Sequence, residues 1–240
     1  MEKFSLYFML FLIYSFTGWC IEVVNSLIIE RKFVNRGFML GPYCPIYGYS
    51  SIIMIFYLNQ YRDNIMTVFL LAVIVCSVME YIVSYVMEKL FNARWWDYST
   101  RKFNINGRIC LTNAILFGIL GVMLVYLVNP LISSLLLKVN TTILNVLCII
   151  WLIIFIGDFI ISMNVTYKLK NAIKKLKKDN TEEFSTKVRE TIEEKLLNRR
   201  IFKAFPKFKL NIIDIKEIKN KIEEKIDEIE EKIEEKMEKR

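Results

Sequence analysis

Not one of the 240 residues is histidine, which removes the commonest metal ligand and the commonest general base together. A serine–histidine pair is excluded with it, and neither G-x-S-x-G nor H-E-x-x-H occurs. No G-x-x-x-x-G-K-S/T run is present, so the chain does not hold ATP in the P-loop manner. Cysteine is sparse: Cys20, Cys44, Cys76, Cys110 and Cys148 are odd in number and nowhere spaced C-x-x-C. They lie in or beside apolar runs, so the expectation is small buried hydrophobes rather than a disulfide framework. No metal and no cofactor are expected. Carboxylate-driven chemistry stays open, with Glu80, Glu88, Asp97 and Asp158 as the candidate bases.

What is abundant is apolar surface. Hydrophobic residues make up 54% of the chain, too much for an ordinary soluble domain. The apolar Phe4–Val24 stretch is too long for a signal peptide and no small-x-small site follows it, so it reads as a retained transmembrane helix. Thr17-Gly18-Trp19-Cys20 is a poor lipoprotein box. Five segments, 4–24, 45–61, 65–90, 109–128 and 142–165, are candidates to span about 30 Å of hydrocarbon at about 1.5 Å per residue. The second is the weakest, being short and opening with Pro45 and Gly48. Leu131–Leu137 is too short to cross and is expected at the interface after Pro130. The fold expected is all-α: a polytopic membrane protein of about five transmembrane helices, with a cytoplasmic helical tail. Residues 1–167 form the membrane domain, 168–210 a basic amphipathic juxtamembrane segment, and 211–240 a charged helix.

The net charge is +8, with the excess in certain loops and directly after the last apolar run. Such a pattern selects a bilayer surface with anionic lipids as the basic partner, not nucleic acid. The tail opens KLKNAIKKLKK (168–178) and should be cytoplasmic. Counting back through five spans puts the N-terminus outside, in the cell membrane. The loops 25–44 (Arg31, Lys32, Arg36) and 91–108 (Arg94, Arg101, Lys102, Arg108) then fall inside, while the outer loops carry only Arg62 and Lys138.

In the tail, Leu169, Ile173 and Leu176 sit at helical spacing among lysines, the pattern of a helix lying on a membrane surface. RRIFKAFPKFK (199–209) interleaves cations and phenylalanines in a way suited to a headgroup layer. From Ile215 the apolar positions Ile218, Ile222, Ile226, Ile229, Ile233 and Met237 follow an eleven-residue repeat, which favours a straight or slightly right-handed coil. This is either a self-association helix or a solvated helix with a marginal stripe.

The candidate site follows from charges placed where they are costly. An ionisable group at a span's centre costs about 2.5–3.5 kcal/mol on insertion scales, so each one asks for a reason. Glu22 lies near the inner end of span one and Asp158 in the inner third of span five. Glu80, Ser84 and Glu88 form one i,i+4 stripe on span three. With the orientation above, these acids gather in depth near Arg36, Arg94 and Arg108. The functional reading is a polar cavity open to the cytoplasm and capped by two loops. One is NRGFMLGPYCPIYG (35–48), with Asn35 and Tyr47, whose glycines and prolines forbid a continuous helix. The other is FNARWWDYSTRKFNINGRICLTN (91–113), with Trp95, Trp96, Asp97, Asn104 and Asn106. Irregular backbone at membrane depth is tolerated only when packed or lining a wet cavity, so the two loops are expected to meet. The rival reading is that acids and arginines pair to hold helices in register. Trp95 and Trp96 also suit an interfacial belt, and Gly118 and Gly121 suit helix packing.

The motifs Gly18-Trp19 with Glu22, Asn35-Arg36-Gly37-Phe38, Gly41-Pro42-Tyr43-Cys44-Pro45-Ile46-Tyr47-Gly48, Glu80-Tyr81, Glu88, Trp95-Trp96-Asp97-Tyr98-Ser99 and Phe103-Asn104-Ile105-Asn106-Gly107-Arg108 resemble a family of small bacterial membrane proteins. That family is catalogued as ABC-transporter type IV, or CmpB-like, and has eukaryotic transmembrane relatives. The resemblance implies a permease-like component, with a separate ABC ATPase subunit as partner, two copies building the pathway and the inner loops as coupling surfaces. Two alternatives stand beside it. One is a membrane-embedded protein or enzyme that holds a lipid headgroup on its arginines; the other is a scaffold that recruits partners through its tail.

Overall fold

A computed structural model describes residues 2–31, 33–35, 37–91, 93–176 and 209–210. The helices in chain order are α1 (Glu2–Glu30), α2 (Pro45–Leu58), α3 (Ile65–Phe91), α4 (Leu111–Met123), α5 (Asn129–Leu136) and α6 (Thr141–Leu176). The two-residue strands are β1 (Ala93–Arg94), β2 (Asn104–Ile105), β3 (Ile109–Cys110) and β4 (Lys209–Leu210). The all-α reading holds for the membrane part. The strands occur as two small antiparallel pairs, β1 with β4 and β2 with β3.

Among the described residues, four helical stretches are long and apolar enough to cross a membrane: Lys3–Ile28, Ile65–Phe91, Leu111–Leu136 and Thr141–Lys168. The chain is therefore a multi-pass membrane protein. Five spans are not reached by length. The segment expected at 45–61 is a helix of 14 residues followed by one 3-10 turn, Asn59–Tyr61. At about 1.5 Å per residue such a helix covers roughly two thirds of the hydrocarbon. Its start is set by Pro45 in the first turn, where a missing N–H costs nothing. The chain leading into it is the irregular loop from Arg31, whose φ of 52° ends α1.

Leu131–Leu137 is corrected from an interfacial piece to the end of a span. α4 and α5 form one 26-residue stretch joined through a π-helical turn, Leu124–Val128. Pro130 has no N–H to offer the preceding turn, and the Asn129 amide reaches instead to the Leu124 carbonyl. The helix widens there and carries on, the usual way a proline is absorbed in a packed membrane helix. The boundary expected after residue 167 falls inside α6, which runs on to Leu176. The coiled-coil repeat at 211–240 and residues 199–208 lie outside the described residues.

Between lipid-exposed helices there is no hydrophobic gain from association, so close packing at small residues has to supply it. α1 and α2 meet at two glycines. A Cβ at Gly48 would sit 2.2 Å from Ser15 Oγ and 2.6 Å from a Phe11 ring carbon, and one at Gly18 would sit 2.2 Å from the Tyr47 ring. Gly121 approaches Ala72 of α3 in the same way, and Gly118 approaches Phe69 and Val73, which is the packing role expected of them. Leu10, Tyr14, Met54, Leu58, Val68, Ala72, Leu124 and Val125 fill the space between these helices. Far from the irregular loops, Tyr14 donates to Asn129 (2.9 Å) and Ser5 donates to Asn145 (2.6 Å), so polar side chains inside the spans are paired.

Candidate functional site

The connector after α1 and the connector after α3 lie at the same end of the bundle and touch. The Phe38 ring meets Trp95 edge-on with centroids 5.6 Å apart, and also packs on Phe91 and Phe159. Trp95 is 3% exposed. The interfacial-belt reading of this residue is therefore corrected: a belt tryptophan sits among headgroups, whereas this one is enclosed by the other loop and by α3. Trp96 is half-buried and donates its indole N–H to the Arg108 carbonyl at 2.9 Å.

The second loop, residues 93–110, is docked along the stripe on α3. Glu80 accepts from the Tyr98 hydroxyl (3.1 Å), and Ser84 Oγ accepts from Arg108 (3.2 Å). One oxygen of Glu88 accepts from Arg108 Nη2 (2.6 Å) and Arg94 Nε (3.1 Å). The i,i+4 spacing puts three acceptors on one helical face, one turn apart, and the loop answers each with a donor. Arg108 is 8% exposed, and its guanidinium also lies over the Tyr81 and Tyr85 rings at 5.6 and 5.4 Å. Guanidinium suits this setting, being weakly hydrated and able to stack while it donates. Burial first, and then the Glu80 charge, push the Tyr98 phenol above its ordinary range, so it remains a donor.

The loop can follow the stripe because of its turn. Asn106 and Gly107 have φ of 52° and 67°, and the Arg108 amide closes on the Ile105 carbonyl at 3.0 Å. Positive φ at both central positions is the hairpin geometry that Asn-Gly favours. Asn104 braces the turn, with Oδ1 accepting from Gly107 N (3.0 Å) and Nδ2 donating to the Arg101 carbonyl (2.7 Å). Asn106 donates to the Tyr81 hydroxyl (2.9 Å), and Arg94 Nη1 donates to the Asn106 carbonyl (3.2 Å). Buried Asp97 accepts from Ser99 N at 2.9 Å, and a Cβ on Gly107 would come within 2.7 Å of its carboxylate.

The first loop is held by different means. Asp158 of α6 accepts from Leu40 N (2.9 Å), Gly41 N (2.7 Å), Tyr43 Oη (2.5 Å) and Ser162 Oγ (2.9 Å). Burial, then the hydrogen bond and charge of Asp158, hold the Tyr43 phenol well above its usual range. Asn35 accepts from the Trp19 indole (2.7 Å) and donates to the Leu40 carbonyl (3.2 Å). Tyr47 donates to Glu22 at 2.7 Å. Arg36 lies outside the described residues.

The sequence-predicted residues thus fall into two groups joined through Phe38 and Trp95. Glu80, Glu88, Arg94, Trp95, Trp96, Asp97, Asn104, Asn106 and Arg108 belong to the second loop and its seat. Glu22, Asn35, Tyr47 and Asp158 belong to the first. Sequence reading named Phe38, Tyr43, Tyr81 and Tyr98 only among the family-like motifs, without a role as donors or platforms, and missed Tyr85 altogether. Tyr81 and Tyr85 flank the Glu80–Glu88 stripe one turn apart, and that spacing was the available signal.

The fold and this site define a polytopic helical membrane protein with an interlocked loop cap at one end. A family model described as "Putative ABC-transporter type IV" matches residues 9–163, which takes in both loops and most of each spanning stretch, and the chain belongs to that family. No curated protein and no solved structure matches it.

Proposed function

We propose that this protein is the membrane-spanning, permease-like component of an ABC-type transporter, working with an ATPase carried on another chain. The family description supports this reading, as does the lack of any P-loop in a chain of this class. The observation that carries it is mechanical. Two loops from different parts of the chain form one body through Phe38 and Trp95, and that body is bonded to α3 through Glu88 and to α6 through Asp158. A push on such a cap reaches two spanning helices at once. Its exposed tip carries Arg101, Lys102 and Phe103, the last 79% exposed and held at a φ of 51°. This tip is the contact proposed for the ATPase. The cations beside both loops support a cytoplasmic position for the cap. Two copies of the chain would form the pathway.

Arg94 and Arg108 are already engaged by Glu88, which weighs against a lipid phosphate as their ligand. The test is purification of the full chain from native membranes in mild detergent. An ATP-hydrolysing subunit should accompany it, and the double substitution Arg101→Glu, Lys102→Glu should release that subunit at unchanged yield of the chain. Recovery without any ATPase, with phospholipid that Arg108→Ala removes, would replace this reading with the lipid-binding one.

A further inference from the structure

Four donors surround the Asp158 carboxylate, three from the Leu40–Tyr43 turn and one, Ser162, from α6 itself. Oδ1 takes donors from Leu40 N and Ser162 Oγ, and Oδ2 takes donors from Gly41 N and Tyr43 Oη, so each oxygen is doubly satisfied. Three of the four donors belong to the loop, and two of these are successive backbone amides. Their directions are set by the chain itself. Pro42 has its φ limited by its ring, and the Tyr43 amide closes back on the Gly41 carbonyl at 2.9 Å. Gly41 is needed for the Tyr43 hydroxyl to arrive, because a Cβ there would lie 2.5 Å from the tyrosine ring.

α6 is the least covered of the spanning helices. Of its most apolar stretch 11% is buried in the protein, against 39% for α1 and 22% for each of the other two. Outside the carboxylate clamp it is tied by Ser5 to Asn145 and by Lys170 to the Leu90 carbonyl, with Phe155 edge-on to α1, Phe159 on Phe38, and Met163 and Val165 on the Phe91–Trp95 cluster. A helix packed this lightly depends on its polar contact in a way that α1 does not.

We infer that the Leu40–Tyr43 turn is a carboxylate-binding site whose resident occupant is Asp158, so that α6 docks on the cap as a tethered ligand docks in its receptor. The inference rests on this geometry and does not need the transporter reading. Charge-assisted bonds from fixed amides give such a site a preference for a singly charged carboxylate over a neutral amide of the same shape. Undocking leaves the turn formed and open to another carboxylate.

Asp158→Ala in the full chain empties the site without filling it, and amide hydrogen exchange reads the result. The Leu40 and Gly41 amides should exchange faster by roughly tenfold or more, since each charge-assisted bond lost is of at least that worth. Sodium acetate should restore their protection in the variant, while acetamide and sodium chloride at matched concentration should not. Protection of the Tyr98 amide in the other loop should stay as in the wild type and serves as the control for folding. Unchanged exchange at Leu40 and Gly41 in Asp158→Ala would overturn the inference. So would lost protection that acetate fails to restore while Tyr98 remains protected. If Asp158→Ala does not fold, Asp158→Asn replaces it: only one of the two amide atoms can accept, so exchange should rise at Leu40 or at Gly41. Wild-type protection at both amides in the asparagine variant would sink the idea equally.

Discussion

The two loops of the cap are both fastened by half-buried acids, yet in opposite ways. The 93–110 loop brings side-chain cations, Arg94 and Arg108, to a carboxylate on α3. The loop after α1 brings backbone amides and a phenol to a carboxylate on α6. A half-buried carboxylate accepts either solution, because what it needs is donors, and a peptide N–H is as good a donor as a guanidinium if the backbone aims it. The difference lies in what each fastening tolerates. The ion-paired loop depends on three ionised groups meeting in one place, of which Arg108 is buried. The amide-held loop depends on backbone shape, and so on Gly41 and Pro42.

Removing the charge that serves the paired loop should have the largest effect. Glu88→Ala leaves Arg108 buried without its partner, and stranding a buried charge costs about 3–5 kcal/mol. Thermal unfolding should fall accordingly. Trypsin should cut sooner at Arg101 and Lys102, while the Leu40 and Gly41 amides keep their protection. Loss of protection in both loops together would erase the distinction and make the cap a single cooperative unit.

Gly107→Ala attacks the same loop through its backbone. An L-residue at φ 67°, with a Cβ 2.7 Å from the Asp97 carboxylate, should cost about 1–3 kcal/mol. A drop in melting temperature with unchanged helix content by circular dichroism is the expected result. A neutral outcome would mean that the turn can open without disturbing the seat on α3.

A smaller change sharpens the comparison. Tyr98→Phe deprives Glu80 of its hydroxyl donor, and a buried acceptor left without one costs about 1–3 kcal/mol, more where it is charged. Because Glu88 still holds both arginines, the loop should stay docked, and proteolysis at Arg101 should change less than in Glu88→Ala. The least effect on stability is expected for Phe103→Ala, within about 0.5 kcal/mol, since the ring is exposed. That variant should retain its melting temperature and lose ATPase co-purification. The reverse pattern would show the ring to be part of the fold.

Much of the cap was legible beforehand. The i,i+4 stripe of Glu80, Ser84 and Glu88 was visible as acids in an apolar helix, and the loop cations stood beside it as partners. Asn106-Gly107 carried its turn in the dipeptide itself. By contrast, nothing local marks Leu40 and Gly41 as partners of Asp158, because every residue has an amide and only the folded path says where it points. Trp95 was left between two readings for a related reason: an aromatic near a span's end suits a headgroup layer and a protein interior equally, and Phe38 decided between them. The continuity through Pro130 also escaped, and α2 was read only as the weakest of the five candidate spans. Apolar composition cannot tell a short helix from an irregular entry, nor a broken helix from one widened by a π turn.

Taken alone, the amino-acid order determined that this chain belongs in a bilayer, which charges need partners, and that its two irregular connectors must be packed against something. These are statements about the cost of apolar surface in water and of polar groups in hydrocarbon, and such costs are properties of residues one at a time. Which donor meets which acid was decided only by the tertiary structure. A hydrogen bond needs two atoms within about 3 Å, and for Gly41 and Asp158 those atoms are separated by most of the membrane domain along the chain.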